Sequence, residues 1–204
     1  KRDLQGFVKR LRRRLDYHNG VQVRYYGVGE YGDATHRPHY HIIVFGLSLN
    51  DLVQLKTSAL GHQYYTSALV QSCWPQGFSM GAACTWESAA YVARYCTKKL
   101  SGDYKGFYEL FNIEPEFSLM SRKPGIARQY FDDNVAKIYE RDEIQLALNS
   151  GGKSVKPPAY FDKLYEQMDA EHMAIIRERR ERYRQSRDYE QRRNSGLTAD
   201  ERLE

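Results

Sequence analysis

His39 and His41 are two residues apart in the run His39-Tyr40-His41-Ile42-Ile43-Val44-Phe45. The run is rich in β-branched and aromatic residues and reads as a strand, on which alternate side chains share a face. Both imidazoles therefore project together. Glu30 closes a preceding strand-like run, Gln22 to Glu30, and a hairpin across Tyr31 to Pro38 brings its carboxylate towards the histidines. Two imidazole nitrogens and one carboxylate oxygen form an open site for Mg²⁺, Mn²⁺ or Zn²⁺, with positions left for a phosphate oxygen. The same spacing also fits two half-buried polar residues on an ordinary strand, and Glu30 also fits a plain surface carboxylate. His36 falls in the intervening loop and stays outside the set.

A second group lies downstream. In Ser88-Ala89-Ala90-Tyr91-Val92-Ala93-Arg94-Tyr95-Cys96-Thr97-Lys98-Lys99 the tyrosines Tyr91 and Tyr95 are four apart, and Lys98 follows Tyr91 by seven. On a helix these three share a face. Ala89, Ala93, Cys96 and Leu100 form a roughly opposite stripe of small or apolar residues that can pack against the domain. A phenol with an ordinary pKa of about 10 is a weak nucleophile, and a cation such as Lys98 would help it. Tyrosines at helical spacing equally serve as packing residues, and both readings stay open on spacing alone.

The elements that must hold these groups follow from the pattern. Leu4, Phe7, Val8, Leu11 and Leu15 recur at helical spacing from Lys1 to Leu15, with Lys9, Arg10, Arg12, Arg13 and Arg14 between them. This predicts an amphipathic helix with a basic outer face. The His39 strand, apolar on both faces, is expected at the centre of the sheet. Asn50 or Asp51 would cap a helix near Leu52 to Leu60, and a second helix covers Thr66 to Cys73. Phe78 to Thr85 reads as a short strand, and Thr85 as the cap of a helix from Trp86 to about Leu100. Beyond Ser101 periodicity weakens. Residues 1–149 are read as one domain, 150–159 as a Gly- and Pro-containing linker, and 160–204 as a charged helical segment with its helix over Lys163 to Arg193.

Composition narrows the class. The 204 residues carry a formal charge of +5, favouring an anionic partner, and the pI is near 9.0. Seventeen tyrosines against eight phenylalanines imply many rings with a polar or exposed edge. The three cysteines, Cys73, Cys84 and Cys96, have no Cys-x-x-Cys spacing and read as reduced thiols of an intracellular protein. No apolar run approaches the ~20 residues of a membrane span, so no membrane partner is expected. The Lys9 to Arg14 cluster, Arg122 and Lys123, and the stretch from Arg177 to Arg193 are candidates for phosphate contact. Tyr25, Tyr64 and Tyr65 are candidates for stacking on unpaired bases. The charged tail equally fits a solvated helix held by Glu–Arg pairs.

Gly29-Glu30-Tyr31-Gly32-Asp33, Arg37-Pro38-His39-Tyr40-His41 and Tyr91-Val92-Ala93-Arg94-Tyr95-Cys96-Thr97-Lys98 together resemble the motifs of HUH endonucleases. They are most similar to those of the replication-initiation proteins of microviruses, in particular the gokushovirus group of single-stranded DNA bacteriophages. Asp3-Leu4-Gln5 through Arg12, and Ser121-Arg122-Lys123-Pro124-Gly125-Ile126, extend the likeness over roughly two thirds of the chain. The resemblance implies an α+β fold, a mostly antiparallel central sheet with flanking helices in a ferredoxin-like or RNA-recognition-like arrangement. It implies His39, His41 and Glu30 as ligands of Mg²⁺ or Mn²⁺, and Tyr95 as nucleophile beside Lys98. Tyr91 would be the second tyrosine of a two-tyrosine initiator, and Lys9, Arg10, Arg12, Arg13, Arg122 and Lys123 would contact DNA.

The implied activity is site-specific nicking and joining of single-stranded DNA through a 5′-phosphotyrosine, initiating rolling-circle replication in the cytoplasm of an infected bacterium. Origin DNA is the implied partner, with a host helicase or polymerase beside it. A relaxase or single-strand transposase would use the same chemistry, whereas a non-catalytic single-strand-binding domain or a hydrolytic metalloenzyme would not need the tyrosines. Family members usually carry an apolar strand ahead of the basic helix. Since this chain begins at that helix, its sheet is expected to lack one strand.

Overall fold

The computed structural model describes residues 1–19, 22–32, 35–59, 61–94, 105–148 and 151–186. Helix α1 (Arg2–Asn19) follows the predicted apolar spacing, with Leu4, Phe7, Val8, Leu11 and Leu15 all buried. Those side chains form a core with Val23 and Cys73, against which Tyr25, Tyr40, Ile42, Val44, Trp74, Phe117 and Leu119 pack. The sheet residues of that group lie on one face, as strand alternation requires.

Strands β1 (Arg24–Tyr31) and β2 (Pro38–Phe45) form the expected antiparallel hairpin, in a register that pairs Glu30 with His39 and Val28 with His41. Strand β5 (Phe117–Met120) adds to the other edge of β1, giving the order β2-β1-β5. The central strand among the described residues is therefore β1, not the histidine strand. Val28 is fully buried in it, while β2 is mostly half-buried or exposed. The α1 face is packed closely. A Cβ built on Gly27 would lie 2.7 Å from Leu4 Cδ2, and one on Gly29 2.5 Å from Phe117 Cε1. Only glycine leaves room there for the helix and the neighbouring ring.

The helix expected near Leu52 to Leu60 is instead the strand β3 (Leu52–Thr57), paired with β4 (Gln63–Ser67). A turn from Ser58 to His62 joins them, with Gly61 at φ +82°, a conformation glycine adopts without strain. Asp51 does act as a cap, but for a helix distant in sequence. Its carboxylate accepts from Ser67 Oγ and from the Leu69 amide at the start of α2 (Ala68–Cys73). The Leu69 amide bond contributes most to holding the Asp51 carboxyl below its ordinary pKa.

Phe78 to Thr85 makes only an isolated bridge, Tyr65 with Gly81, rather than a strand. Helix α3 (Trp86–Arg94) then begins where expected: Ser88 N donates to Thr85 Oγ1 and Thr85 N donates to Ser88 Oγ. These two bonds satisfy amides that the first turn leaves without helical partners. A short helix, α4 (Lys105–Leu110), follows.

The chain divides into two compact units, residues 1–126 and 127–204, earlier than the expected boundary after residue 149. The reason is a separate core. Phe131, Ile138 and Tyr139 of α5 (Arg128–Arg141) pack with Ile144, Phe161, Met173 and Ile176. The expected linker at 150–159 contains β7 (Gly151–Val155), which pairs with β6 (Ile144–Leu148). The charged tail holds two helices among its described residues, α6 (Ala159–Glu166) and α7 (Ala170–Arg184). Asp169, which accepts from the His172 amide, caps the second. Arg180 of α7 bonds both Asp142 and Asp162, and Arg177 pairs with Glu166 at 2.6 Å. Thus α7 is neither a loose phosphate-binding arm nor a fully solvated helix; Met173 and Ile176 bury one side of it.

Candidate active site

The register places the sequence-marked residues on the sheet face opposite α1. Directly paired residues of antiparallel strands point to the same side, so Glu30, His39, Val28 and His41 share one surface. Glu30 is 7% exposed, and its Oε1 lies 3.0 Å from His41 Nε2. Its other oxygen, Oε2, is buried with no hydrogen-bond partner among the described residues. A buried carboxylate oxygen without a donor is costly, by about 1–3 kcal/mol. His39 is more exposed, and its ring lies over Gly32, where a built Cβ would sit 2.9 Å from Cε1. His36 stands on the exposed turn with φ 49°.

Helix α3 lies against β2 and positions Tyr91 over this face. The Tyr91 and His41 rings meet edge to face, with centroids 6.2 Å apart and planes at 78°. Tyr91 is nonetheless 53% exposed, leaving one side of the phenol accessible. The second predicted tyrosine, Tyr95, and Lys98 lie outside the described residues. Tyr40, between the two histidines, points the other way: its hydroxyl donates to Asp3 at 2.9 Å. Burial, and then the bond to Asp3, push the Tyr40 phenol up to about 12, which makes it a poor nucleophile.

Glu116 is an acidic residue near this face that the sequence pattern did not mark. The β1–β5 pairing ends at Gly29 with Phe117, and one step further in that register Glu116 falls opposite Glu30. Glu116 is buried and accepts a hydrogen bond from the buried hydroxyl of Tyr108 on α4. The four-residue strand β5 carries too short a pattern to be read from sequence, so the position of Glu116 was not legible.

The basic residues separate into two groups. Arg10 donates to the Cys73 carbonyl at 2.8 Å, and Arg12 to the Val23 carbonyl at 3.1 Å and to Ser121 Oγ at 3.3 Å. The Arg12 guanidinium also lies 5.6 Å from the Tyr25 ring centroid. These two arginines tie α1 to the rest of its unit. Lys9, Arg13, Arg122 and Lys123 are exposed. Tyr25, Tyr64 and Tyr65 are half-buried, and Tyr64 lies under Lys56.

The donor types suit a divalent metal: a partnerless buried carboxylate oxygen, an imidazole in contact with that carboxylate, and a second imidazole on the same face. Among the described residues, however, no three His, Cys, Asp or Glu side chains converge on one point. Glu30 and His41 are together, while His39 is displaced over Gly32. Cys73 is buried and Cys84 exposed, both free. No helix among the described residues is long and apolar enough to cross a membrane.

An antiparallel sheet with a Glu–His pair on one face and a tyrosine helix above it defines an α+β protein of the kind the motifs implied. Residues 1–100 match the family described as Replication-associated protein ORF2. The chain is 37% identical over 179 residues to the Replication-associated protein ORF2 of Spiroplasma virus 4, covering 86% of this chain and 54% of that protein. It is 30% identical over 168 residues to the Replication-associated protein VP4 of Bdellovibrio phage phiMH2K, covering 80% and 51%. A third relative, the Replication-associated protein ORF4 of Chlamydia phage 1, is 41% identical over 101 residues, 47% of this chain and 25% of the relative. The chain belongs with the replication-associated proteins of microviruses. It spans about half the length of the first two relatives. No solved structure matches it significantly.

Proposed function

We propose that this protein acts in phage DNA replication by nicking and rejoining single-stranded DNA at the origin through a tyrosine-linked 5′ phosphate. The observation that carries this reading is the packing of Tyr91 against His41, which is itself bonded to Glu30. A phenol accessible on one side is thereby held beside an acid–imidazole pair.

In the proposed reaction a tyrosine oxygen attacks the scissile phosphorus. The bond from phosphorus to the 3′ oxygen breaks, and that oxygen takes up a proton to become a free 3′ hydroxyl. The phosphodiester energy is stored in the tyrosine–phosphate bond, so joining is the same exchange in reverse. Tyr95, by resemblance, makes the first attack, and Tyr91 attacks at the close of a round. Lys98 would favour the phenolate by its charge. Glu30, His41 and His39 would hold Mg²⁺ or Mn²⁺, with the His39 ring as the third donor. When bound, the ion would polarise the scissile phosphate and stabilise the charge that develops on it. The 3′ hydroxyl would prime rolling-circle synthesis in the cytoplasm of the infected host, where a helicase or polymerase of the host would follow.

The separation of His39 from the other two donors favours one further reading, a single-strand-binding domain without catalysis. A denaturing gel separates the two. The protein is mixed with Mn²⁺ or Mg²⁺ and single-stranded fragments tiled across the parent genome, beside Tyr91→Phe, Tyr95→Phe and His41→Ala. A metal-dependent protein–DNA adduct that disappears in a tyrosine variant is expected. Binding to the fragments with no adduct from any of them would overturn the nicking reaction in favour of the silent domain.

A further inference from the structure

Between Leu52 and Trp86 the sequence has no aspartate or glutamate, although the whole chain carries 26 acidic residues. This acid-free stretch also displays unusual apolar side chains. Phe78 is 67% exposed, Met80 51% and Trp86 44%. They stand on the segment that joins the β3–β4 hairpin to the tyrosine helix α3, and Trp86 is the first residue of that helix.

The segment is held in this posture. Gln71 donates to the Gly77 carbonyl at 2.8 Å, and its side-chain oxygen accepts from Ser79 N at 2.9 Å and Ser79 Oγ at 3.0 Å. Further on, Gly81 exchanges both backbone bonds with Tyr65, at 2.8 and 2.9 Å. Ser79 is thus turned inward, and along extended backbone its neighbours Phe78 and Met80 face the opposite way. Apolar groups fixed outward by polar anchors have already lost the freedom that binding would otherwise remove. This is what a preformed contact surface requires.

We infer that Phe78, Met80 and Trp86 form a platform on which unpaired DNA bases stack as the strand approaches Tyr91. Three observations select bases as the occupant. The surface offers two aromatic rings and a polarizable thioether, which every base can stack against irrespective of sequence. The absence of carboxylates within the stretch spares the phosphates repulsion, and Lys56 on β3 adds a positive charge. The platform also runs directly into the helix carrying Tyr91. The inference rests on the proposed reading of the protein as acting on single-stranded DNA, and it specifies where the strand lies.

The protein carries its own reporter. It has two tryptophans, Trp74 and Trp86. Trp74 packs edge-on against Phe7 and Tyr40, with centroids at 5.9 and 5.0 Å, so quenching on binding reports Trp86. The full chain, in EDTA, is titrated with a thymidine oligonucleotide of about 15 residues and with an abasic strand of equal length. The thymidine strand is expected to quench Trp86 and to bind roughly tenfold more tightly than the abasic one. Trp86→Leu and Phe78→Ser, checked for native circular dichroism, should lose most of that preference and keep the affinity for the abasic strand.

Equal binding and equal quenching by the two strands would overturn the platform, as would full preference retained in both variants. Quenching that follows protein concentration without DNA would also overturn it, in favour of a second copy of the chain on this surface. The two readings fail separately. Base-dependent quenching without any adduct keeps the platform and removes nicking; an adduct without base-dependent quenching does the reverse.

Discussion

Glu30 should trade stability for ligand binding, and Glu30→Met exposes the trade. The carboxylate is 7% exposed, with one oxygen on His41 at 3.0 Å and the other buried without a donor among the described residues. Replacing it with an unbranched apolar side chain of similar length relieves the unsatisfied oxygen, a gain of about 1–3 kcal/mol, and forfeits one hydrogen bond, a loss of about 1 kcal/mol. Exchange of a buried polar pair for apolar packing is often neutral or stabilising. The metal-free variant is therefore expected to match wild type or exceed it by up to about 2 kcal/mol. Wild type should instead gain about 2.7 kcal/mol at a metal concentration about a hundred times the dissociation constant, and the variant little. Urea unfolding followed by tryptophan emission reads this directly, because both tryptophans lie in the unit spanning residues 1–126. The curves should cross between EDTA and Mn²⁺. The reasoning fails if Glu30→Met is more than about 1 kcal/mol less stable in EDTA, or if its Mn²⁺ increment equals that of wild type.

Three further outcomes are expected. Arg180→Met removes the cation between Asp142 and Asp162, whose side chains are 11% and 15% exposed, and should cost about 3–5 kcal/mol in urea unfolding of the second unit. In wild type, burial raises the Asp162 carboxyl, but the bonds from Arg180 and Tyr139 outweigh it and hold the pKa below its ordinary 3.8. That contribution is complete above about pH 4 and is lost as pH falls through the depressed native value; melting temperature against pH should show the loss beginning at higher pH in the variant. Gly29→Ala forces a Cβ to within 2.5 Å of the Phe117 ring and should destabilise the first unit by about 1–3 kcal/mol, whereas Gly81→Ala, with nothing within 4 Å, should leave urea midpoints nearly unchanged. Lys9→Gln or Arg13→Gln should lower the salt dependence of single-strand binding by about 0.7 per contact. Arg12→Gln should lower stability and leave that slope intact, since Arg12 is engaged with Val23 and Ser121; equal slopes in all three variants would contradict this division.

Periodicity alone determined the features that depend on neighbours in the chain. The apolar spacing of α1, the β1–β2 hairpin with Glu30 and His39 facing each other, and the Thr85 cap of α3 were legible because each is set by local geometry. The motif residues drew attention to the right strand face for the same reason, since alternation puts His39 and His41 together wherever the strand lies. Tertiary structure decided what depends on partners far along the sequence. Leu52 to Thr57 became a strand through pairing with β4, and Asp51 became the cap of a helix across the hairpin rather than of its own segment. The four residues of β5 acquire meaning only beside β1, where they make β1 rather than the histidine strand central and bring Glu116 towards Glu30. Composition showed Arg10 and Arg12 as part of one basic cluster; the fold turned both back onto carbonyl groups of their own unit and left Lys9 and Arg13 exposed. Charge and residue type are properties of the chain, but which charges and rings remain exposed is determined by packing.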